Sequence, residues 1–508
     1  MPGADYEFRP GRSCGGYVLN ADRHLAAEGA VWLWRRGSLI LLLVVAGLGG
    51  LASVLANWPG HFEPDSVWQL AQGRTGVFDD WHPPVMAWIL GVCDRILAGG
   101  RLYIILTTAT FFSAFVAFMA LRRRPAALSV ALLALIAASP LALIYQGMVL
   151  KDILFADASV AGYAALAWAA RVWRHGWART AWILTALAFF TLATLTRQTG
   201  IIVAACGALA LGWLVFRGAR EQAVKMPPAL FRLALGTVAS LALVAAAAGV
   251  ATAALELHGN HWPETRAELT AMQIYDLAGA ARRDPAVRLD VLRNQAPGLE
   301  DFVRHSAAPA YTPARMDPLR DVSGAGDYLY FDGPAPGDQW RTLIRTAPGL
   351  YLAVRAEVFR WVFMTPDIQQ CAPILVGVDA DIASQLEEAN LSRRDTDKDD
   401  WDSDYAERFL NTPVFSHPFY AGLALLMLVW ALWDLRRGAD EFVAIVAMLM
   451  AAFGFTASFF LVGVACDYRY LYFLDVAAMA ALAHRVAFWR LPSRRARAAP
   501  LDARADGA

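Results

Sequence analysis

The chain alternates between long apolar runs and shorter polar stretches. A helix that crosses a bilayer needs roughly 17 to 25 mostly apolar residues. Runs of about this length lie near 38–56, 101–121, 126–146, 153–170, 180–196, 199–216, 229–255, 416–434, 441–465 and 468–486. The run 84–98 is shorter and contains Asp94 and Arg95, so we predict a juxtamembrane or re-entrant helix there. The pattern predicts an all-α polytopic membrane protein with about ten transmembrane helices.

Arginine falls on one side of this predicted topology. Basic residues accumulate in the cytoplasmic loops of membrane proteins. With the N-terminal tail, 1–37, and the basic tail, 487–508, in the cytoplasm, every arginine-rich loop lies on the same side. If 84–98 crossed the membrane completely, all later loops would change sides and the distribution would contradict the rule.

The opposite side receives the larger loops. The predicted division is a transmembrane catalytic module, 38–256, with its first outer loop, 57–100; an extracytoplasmic domain, 257–415; and C-terminal transmembrane helices, 416–486. The extracytoplasmic domain is rich in Pro, Gly, Asp and Glu and is inserted before the last three helices.

Composition agrees with a membrane protein. Of 508 residues, 57% are hydrophobic and 18% are charged, and the formal net charge is +0; soluble globular proteins have roughly 25% charged residues. No basic stripe predicts nucleic-acid binding, and no Rossmann or P-loop glycine pattern predicts a nucleotide site. The five cysteines lack metal-ligand spacing. Cys371 and Cys466 both fall on the predicted outer side, where a disulfide between them is an open alternative.

Polar residues collect at the outer boundary of the predicted helices. They are Asp65 and His82 in the first outer loop, Lys151 and Asp152 in the second outer turn, Arg197 in the third, and Asp467, Arg469 and Tyr470 before the last helix. The positive-inside rule does not favour lysine or arginine on this side. An anionic partner would explain these cations, because an arginine fork matches phosphate oxygens and lysine acts as a point charge.

Simpler explanations exist for each pair of charges. Lys151 could pair with Asp152, and Asp467 with Arg469, in exposed ion pairs that contribute at most about 1 kcal/mol. The repetition of the pattern in separate turns on one face favours a shared site, although the alternative stays open for any single pair.

Asp65 and His82 also have structural alternatives. Asp65 precedes a short helix predicted over 66–71, where it could be the N-cap. His82 could simply end the loop before Pro83, since proline fixes the chain and starts helices.

A carboxylate at a membrane edge that faces several cations suits group transfer from a phosphate-linked lipid. In one role, Asp65 removes the proton of the attacking hydroxyl. In another, Asp65 is a metal ligand that holds a divalent cation, magnesium or manganese, to polarise the phosphate. The basic side chains would stabilise charge on the departing phosphate.

The order of these motifs resembles the GT-C superfamily of integral-membrane glycosyltransferases, which use polyprenyl-phosphate sugars. The matching motifs are Asp65-Ser66 with Gln69 after the first helix, His82-Pro83-Pro84, Lys151-Asp152, Arg197 and Asp467-Tyr468-Arg469-Tyr470. The bacterial branch related to protein mannosyltransferases and aminoarabinose transferases is the most similar. Two departures are Ser66, where the family often has a second acid, and the position of 257–415, which is not C-terminal.

The resemblance implies roles for several residues. Asp65 corresponds to the essential first-loop acid and Asp152 to a second acid or a metal ligand, both catalytic. Arg197 and Arg469 are candidates for binding the donor phosphate. The remaining expected substrate-binding residues are His82, Lys151, Asp467 and Tyr470.

These observations lead to one hypothesis and two rivals. The hypothesis is an inverting glycosyltransferase of the bacterial inner membrane, which moves a sugar from a polyprenyl-phosphate carrier to an envelope glycan, lipid or protein on the periplasmic face. A flippase or transporter of lipid-linked sugars is one rival; Asp157 is its clearest mid-helix acid, although no internal repeat supports it. An O-antigen polymerase or ligase, with a diphosphate-linked donor, is the other.

Overall fold

The computed structural model describes residues 38–78, 82–122, 127–221, 229–258, 260–261, 267–329, 331–380, 383–437 and 439–488. The predicted cytoplasmic tails lie outside these ranges, apart from residues 487 and 488. The described chain is almost entirely helical, which confirms the all-α prediction.

Ten α-helices lie in the described residues before position 259. They are α1 (Ser38–Ala56), α2 (Pro64–Thr75), α3 (Pro84–Ile96), α4 (Arg101–Ala120), α5 (Ala127–Ala138), α6 (Pro140–Leu143), α7 (Lys151–Arg171), α8 (Gly176–Thr196), α9 (Ile201–Glu221) and α10 (Ala229–His258). Short 3-10 turns occupy Tyr145–Gly147 and Gln198–Gly200. Two short parallel strands, β1 (Val77–Phe78) and β2 (Asn260–His261), pair Val77 with Asn260 and Phe78 with His261.

Residues 267–415, here called the polar segment, form a series of shorter helices. They are α11 (Ala267–Arg283), α12 (Asp290–Gln295), α13 (Pro297–Phe302), α14 (Ala308–Ala310), α15 (Asp317–Arg320), α16 (Ala325–Leu329), α17 (Ala335–Thr346), α18 (Pro348–Met364), α19 (Ala383–Glu388) and α20 (Asp397–Glu407). A π-helical turn spans Val303–Ala307, and 3-10 turns span Ile368–Cys371 and Pro413–Phe415. The chain then returns to apolar helices: α21 (His417–Arg436), α22 (Phe442–Val462), a 3-10 turn (Tyr468–Leu471) and α23 (Tyr472–Ala487).

Eight helices in the described ranges are long and apolar enough to cross a membrane, or nine if one bent pair counts as a span. The chain is therefore a multi-pass membrane protein. The bent pair is Ala127–Ala138 with Pro140–Gly147, which meet at 70°. The bend has a local cause, because Pro140 cannot continue a helix and the Ser139 hydroxyl caps the new one.

The bent pair and the last helix account for the difference from about ten predicted spans. The last helix, α23, has 16 residues and is too short for the same criterion. The stretch predicted as a juxtamembrane or re-entrant helix forms α3, which has only 13 residues.

Helix α7 lies at the centre of the bundle. Nearly every side chain from Asp152 to Ala169 is buried, whereas α1 and α10 leave most of theirs on the outer surface. Helix α7 packs against α4, α8, α22 and α23. Both ends of α7 are therefore fixed by surrounding helices.

The first outer loop is compact. Its helices α2 and α3 touch through glycine, since a Cβ atom on Gly73 would lie 2.2 Å from the carbonyl oxygen of Ala87 and one on Gly91 would lie 2.2 Å from Gly73 O. This close backbone approach holds α2 beside α3 and fixes the start of α2, where Asp65 lies.

The polar segment is fastened to the end of the membrane helices. Arg355 is fully buried; its Nη1 donates to Asp276 Oδ1 at 2.7 Å, and its Nε and Nη2 donate to the carbonyls of Phe460 and Gly463, both at 2.9 Å. The cation thus satisfies free carbonyls at the end of α22. A disulfide joins Cys371 to Cys466, the pairing that the sequence left open.

We expect Arg355→Met to destabilise the protein by about 3–5 kcal/mol, because it leaves the Asp276 carboxylate buried without its counter-charge. Thermal and denaturant unfolding of the detergent-purified protein measure the loss. The matched control is Arg283→Met, whose partner Glu357 is half-exposed, so its cost should stay below about 1 kcal/mol. Equal shifts for the two variants would show that the buried pair does not anchor the polar segment.

Candidate active site

All eight residues singled out from the sequence meet at one end of the bundle. With Glu63 they form what we call the charged cluster: Glu63, Asp65, His82, Lys151, Asp152, Arg197, Asp467, Arg469 and Tyr470. Helices α1 and α8 end near this point, and α7 and α23 begin near it. The predicted outer turns therefore share one face of the molecule, although their roles in catalysis and binding stay predictions.

Arg469 is the centre of the charged cluster. Its Nη1 donates to Glu63 Oε1, and its Nη2 lies 2.9 Å from Asp65 Oδ2 and 3.3 Å from Asp467 Oδ2. Its Nε lies 3.8 Å from Asp152 Oδ2. Its side chain is only 8% exposed, so this one guanidinium faces carboxylates from three separate parts of the chain.

Arg197 sits between an acid and three aromatic rings. Its Nη1 donates to Asp152 Oδ1, and the Asp152 side chain is 1% exposed. The guanidinium carbon lies 5.4 to 5.5 Å from the ring centres of Phe455, Phe459 and Tyr470. Stacking on aromatic faces is favourable for arginine, and it holds the group beside Arg469. Lys151 thus contacts His82, Asp152 contacts Arg197, and the Asp467–Arg469 pair is part of the same network and not an isolated surface pair.

His82 links Lys151 to Asp65. The Lys151 ammonium donates to His82 Nδ1, so the ring proton is on Nε2, which lies 3.4 Å from Asp65 Oδ1. The His82 side chain is 8% exposed and that of Asp65 is 34% exposed. Asp65 is therefore the most accessible acid of the network, and it is held on one side by His82 and on the other by Arg469.

The start of α2 corrects one structural alternative. The N-cap is Glu63, whose backbone N–H donates to the Ser66 hydroxyl at 2.9 Å, and Pro64 is the first helical residue. Asp65 lies in the first turn instead of at the cap, so its carboxylate is available to Arg469 and His82. The helix also runs to Thr75, beyond the predicted 66–71, because Gly76 is the residue that adopts the left-handed conformation.

Burial and neighbouring charges give the two acids at the start of α2 very different pKa values. Burial raises the pKa of Glu63 to about 8, against the attraction of Arg469 and with the repulsion of Asp65 and Asp467. Burial also disfavours the Asp65 carboxylate, but the combined effect of the neighbouring His82, Arg469 and Lys151 outweighs it and lowers the pKa of Asp65 well below its usual value. Burial, followed by the nearby Lys151 charge, lowers the pKa of His82. Asp65 is therefore ionised at neutral pH while Glu63 can carry a proton.

Glu63 is the site residue that the sequence analysis missed. The family often has its second acid directly after the first, at the position that Ser66 occupies in this chain. The sequence signal for Glu63 is the order Glu63-Pro64-Asp65. A residue at the N-cap and the second residue of the first turn both lie at the start of the helix, so Glu63 and Asp65 belong to the same place in the fold. Phe455 and Phe459 were also missed, and only long-range packing of α22 reveals them.

The side chains around Asp65 do not fit a divalent cation as they are arranged. No group of three or more His, Cys, Asp or Glu in the described ranges could hold a metal ion. Asp65 Oδ2 accepts from Arg469 and Oδ1 faces His82 Nε2. Positively polarised donors thus stand where a metal ion would need to bind, and the metal role of Asp65 stays a prediction to which we assign no step.

Comparisons with known proteins gave limited similarity. No family model and no curated protein matches the sequence. The archaeal oligosaccharyltransferase AglB from Archaeoglobus fulgidus, solved with an inhibitory peptide and a dolichol-phosphate, is 16% identical with a TM-score of 0.38 over 87% of this chain and 50% of its own. ArnT from Cupriavidus metallidurans, bound to undecaprenyl phosphate, is 16% identical with a TM-score of 0.30 over 88% of this chain and 78% of its own.

This chain spans about half the length of the archaeal enzyme. At these TM-scores the similarity identifies neither the reaction nor the site residues of this chain.

The raised pKa of Glu63 predicts a pH-dependent stability. An acid with a folded-state pKa of about 8, above the ordinary 4.5, destabilises the folded state progressively as the pH rises from 4.5 to 8. Glu63→Gln cannot ionise, so its melting temperature relative to the wild type should increase between pH 5.5 and 8.5. Glu300→Gln is the control, since Arg304 and Arg293 lower the pKa of Glu300 and its ionisation is complete below that window. A pH-independent difference for Glu63→Gln would contradict the prediction.

Proposed function

We propose that this chain is a membrane glycosyltransferase of the GT-C type, which transfers a sugar from a polyprenyl-phosphate carrier to a hydroxyl-bearing acceptor. The observation that carries the proposal is the position of Asp65: an ionised and partly exposed carboxylate within a cluster of cations at the end of the membrane helices. A base for the acceptor and counter-charges for a phosphate are thus available within one site.

The proposed reaction is a single displacement at the anomeric carbon. The acceptor oxygen forms a bond to the anomeric carbon of the sugar, and the bond between that carbon and the phosphate oxygen breaks. The acceptor proton passes to Asp65, and the phosphate leaves on its lipid with the bonding electron pair. Attack opposite to the leaving phosphate inverts the anomeric centre.

The low pKa of Asp65 suits a particular order of events. A weakly basic carboxylate accepts a proton only when the hydroxyl has become acidic, which happens once its oxygen has begun to bond to an electron-poor carbon. Departure of the phosphate therefore runs ahead of proton transfer. Lys151 and Arg197 are the cations assigned to the departing phosphate, because Lys151 contacts His82 and Arg197 donates to one carboxylate, Asp152, whereas Arg469 donates to three, Glu63, Asp65 and Asp467.

A groove next to the charged cluster offers space for the prenyl chain. It has a volume of about 730 Å³ and lies between the first outer loop and helices α8 and α10, with mostly apolar lining residues such as Val85, Ile89, Leu192 and Leu195. Leu195 precedes Arg197 by two residues and Val85 follows His82 by three. A lipid tail in this groove would bring its phosphate to the cationic end of the site.

The arginine-rich loops support an orientation for this site. They lie at the ends of the helices opposite to the charged cluster, and the positive-inside rule assigns such loops to the cytoplasm. We accordingly propose a bacterial inner-membrane enzyme whose site faces the periplasm. The proposed acceptors are envelope glycans, lipids and proteins.

The first test is sugar transfer from polyprenyl-monophosphate donors by purified membranes. Because the Asp65→Asn variant lacks the base, its transfer rate should be about 10²–10⁴-fold lower than that of the wild type. The labelled sugar is followed into envelope glycan, lipid and protein fractions. The matched control is Asp94→Asn, an acid of the same loop that pairs with Arg74 away from the charged cluster. Wild-type transfer by a folded Asp65→Asn variant would refute the proposal.

The same assay separates the two rival functions. A polymerase or ligase would use a diphosphate-linked oligosaccharide and reject the monophosphate donor. A flippase would move the lipid-linked sugar without transfer and depend on Asp157, which is fully buried in α7 and bonded to Gln146 at 3.2 Å. We expect Asp157→Asn to leave transfer within about tenfold of the wild type, since Asp157 touches no member of the charged cluster.

A further inference from the structure

A histidine four residues before Asp65 joins the first outer loop to the polar segment. His61 is 3% exposed and lies between the end of α1, the turn at Gly377 and the N-terminal half of α20. Nothing in the proposed reaction uses this residue. Its surroundings nevertheless determine which of its nitrogens carries the proton.

Asn57 fixes the proton on Nε2. The Asn57 Nδ2 group donates to the carbonyls of Ser53 and Leu143, at 2.6 and 2.7 Å, so its Oδ1 must be an acceptor. His61 Nε2 lies 2.9 Å from that oxygen. The imidazole therefore donates from Nε2.

Two donors point at the other nitrogen. The backbone N–H of Gly377 donates to His61 Nδ1 at 2.9 Å, and Arg394 Nη2 lies 3.0 Å from the same atom. A nitrogen that accepts from these donors cannot hold a proton. The arrangement as observed requires a neutral imidazole.

The contact at Gly377 continues into backbone pairing next to the site. Phe62 N donates to Gly377 O at 2.9 Å, and Asp379 N donates to Phe62 O at 3.0 Å. Phe62 directly precedes Glu63. The Gly377 turn thus holds the backbone from which Glu63 and Asp65 extend toward Arg469.

Four charged groups surround His61. Asp399 Oδ1 lies 3.4 Å from Nδ1 but is engaged by Arg394. Asp402 Oδ2 lies 3.6 Å from Nε2, is fully buried, and has no hydrogen-bond partner on either oxygen. Lys398 donates to carbonyls at the end of α1.

We propose that His61 is a positioning residue for the candidate active site: its neutral ring locks the Gly377 turn of the polar segment to the backbone that carries Glu63 and Asp65, and protonation on Nδ1 in acid opens this lock and reduces transfer. The effect on transfer rests on the proposed function, whereas the lock itself does not.

The direction of the pH effect follows from the surroundings. Burial lowers the pKa of His61, although Asp399 opposes this shift. The contribution of the lock is therefore complete above the ordinary histidine pKa of 6.5 and is lost as the pH falls below it. Burial raises the pKa of Asp402 to about 7, so below that pH Asp402 is protonated and does not compensate an imidazolium charge.

Hydrogen–deuterium exchange of the full-length protein tests the lock without any substrate. After correction for the intrinsic exchange rate, protection of peptides covering residues 61–63 and 374–380 should fall between pH 7.5 and 5.5. His61→Asn keeps an acceptor near the position of Nδ1 but cannot be protonated, so its protection should not change with pH. His61→Ala should lose protection at both pH values, and His305→Asn, at an exposed histidine, should behave as the wild type.

The transfer assay gives the second readout. The wild-type rate should decline in acid, once the pH falls below the lowered pKa of His61, by up to about tenfold per pH unit, as for one titrating group, and this decline should be absent or weaker in His61→Asn. Unchanged protection of the wild type in acid, or an identical acid decline in His61→Asn, would overturn the proposal. If protection changes as expected but neither the wild type nor any variant transfers sugar at any pH, the lock is supported and the proposed function is rejected.

Discussion

The candidate site depends on compensation of buried charge by Arg469. Its guanidinium contacts Glu63 and Asp65 from the first outer loop and Asp467 from its own turn, while Asp152 of α7 is within 3.8 Å. Carboxylates that lose water at a membrane boundary need a counter-charge, and removing one partner of such a pair typically costs several kcal/mol. This requirement brings the ends of α1, α7, α8 and α23 together. Arg469 lowers the pKa of both acids, but burial still raises that of Glu63 to about 8, whereas His82 and Lys151 add to Arg469 in keeping that of Asp65 well below its usual value; one acid thus stays ionised beside another that holds a proton.

The polar segment is attached at three points to this end of the bundle. Arg355 attaches it to the end of α22, the disulfide attaches it to the chain just before Asp467, and Lys398 attaches it to the end of α1. Its anchors thus lie next to two of the three sequence regions that supply the acids around Arg469. A site built from distant segments is held to a narrow geometry only if their ends are fixed. In this chain the fixing elements come largely from the inserted segment.

Much of this arrangement could be predicted from the sequence, because membrane helices follow one-dimensional rules. The apolar runs predicted the helices, and basic residues in short turns opposite the arginine-rich cytoplasmic loops marked Lys151, Arg197 and Arg469. Alternation of the helices then placed these turns on one face. The bend at Pro140 and the short α23 were harder to foresee, because an apolar run contains little information on where its helix breaks or starts.

The contacts that depend on tertiary structure were not predictable. No periodicity links Arg469 to Glu63 or His61 to Gly377, since each pair joins segments that are hundreds of residues apart. The fold and role of the polar segment were also unpredictable, because its short helices have weak sequence patterns and its role depends on where it docks. Asp402 belongs to the strongly acidic stretch 395–404, yet the fold buries it.

The separation of Glu63 from Arg469, 406 residues along the chain, has a consequence for biosynthesis. At about 5–20 residues per second, roughly 20 to 80 seconds pass between the synthesis of the acid and that of its partner. During that interval Glu63 and Asp65 lack the guanidinium that neutralises them in the folded protein. These two acids can therefore reach their counter-charge only after the segment that carries Arg469 has been made.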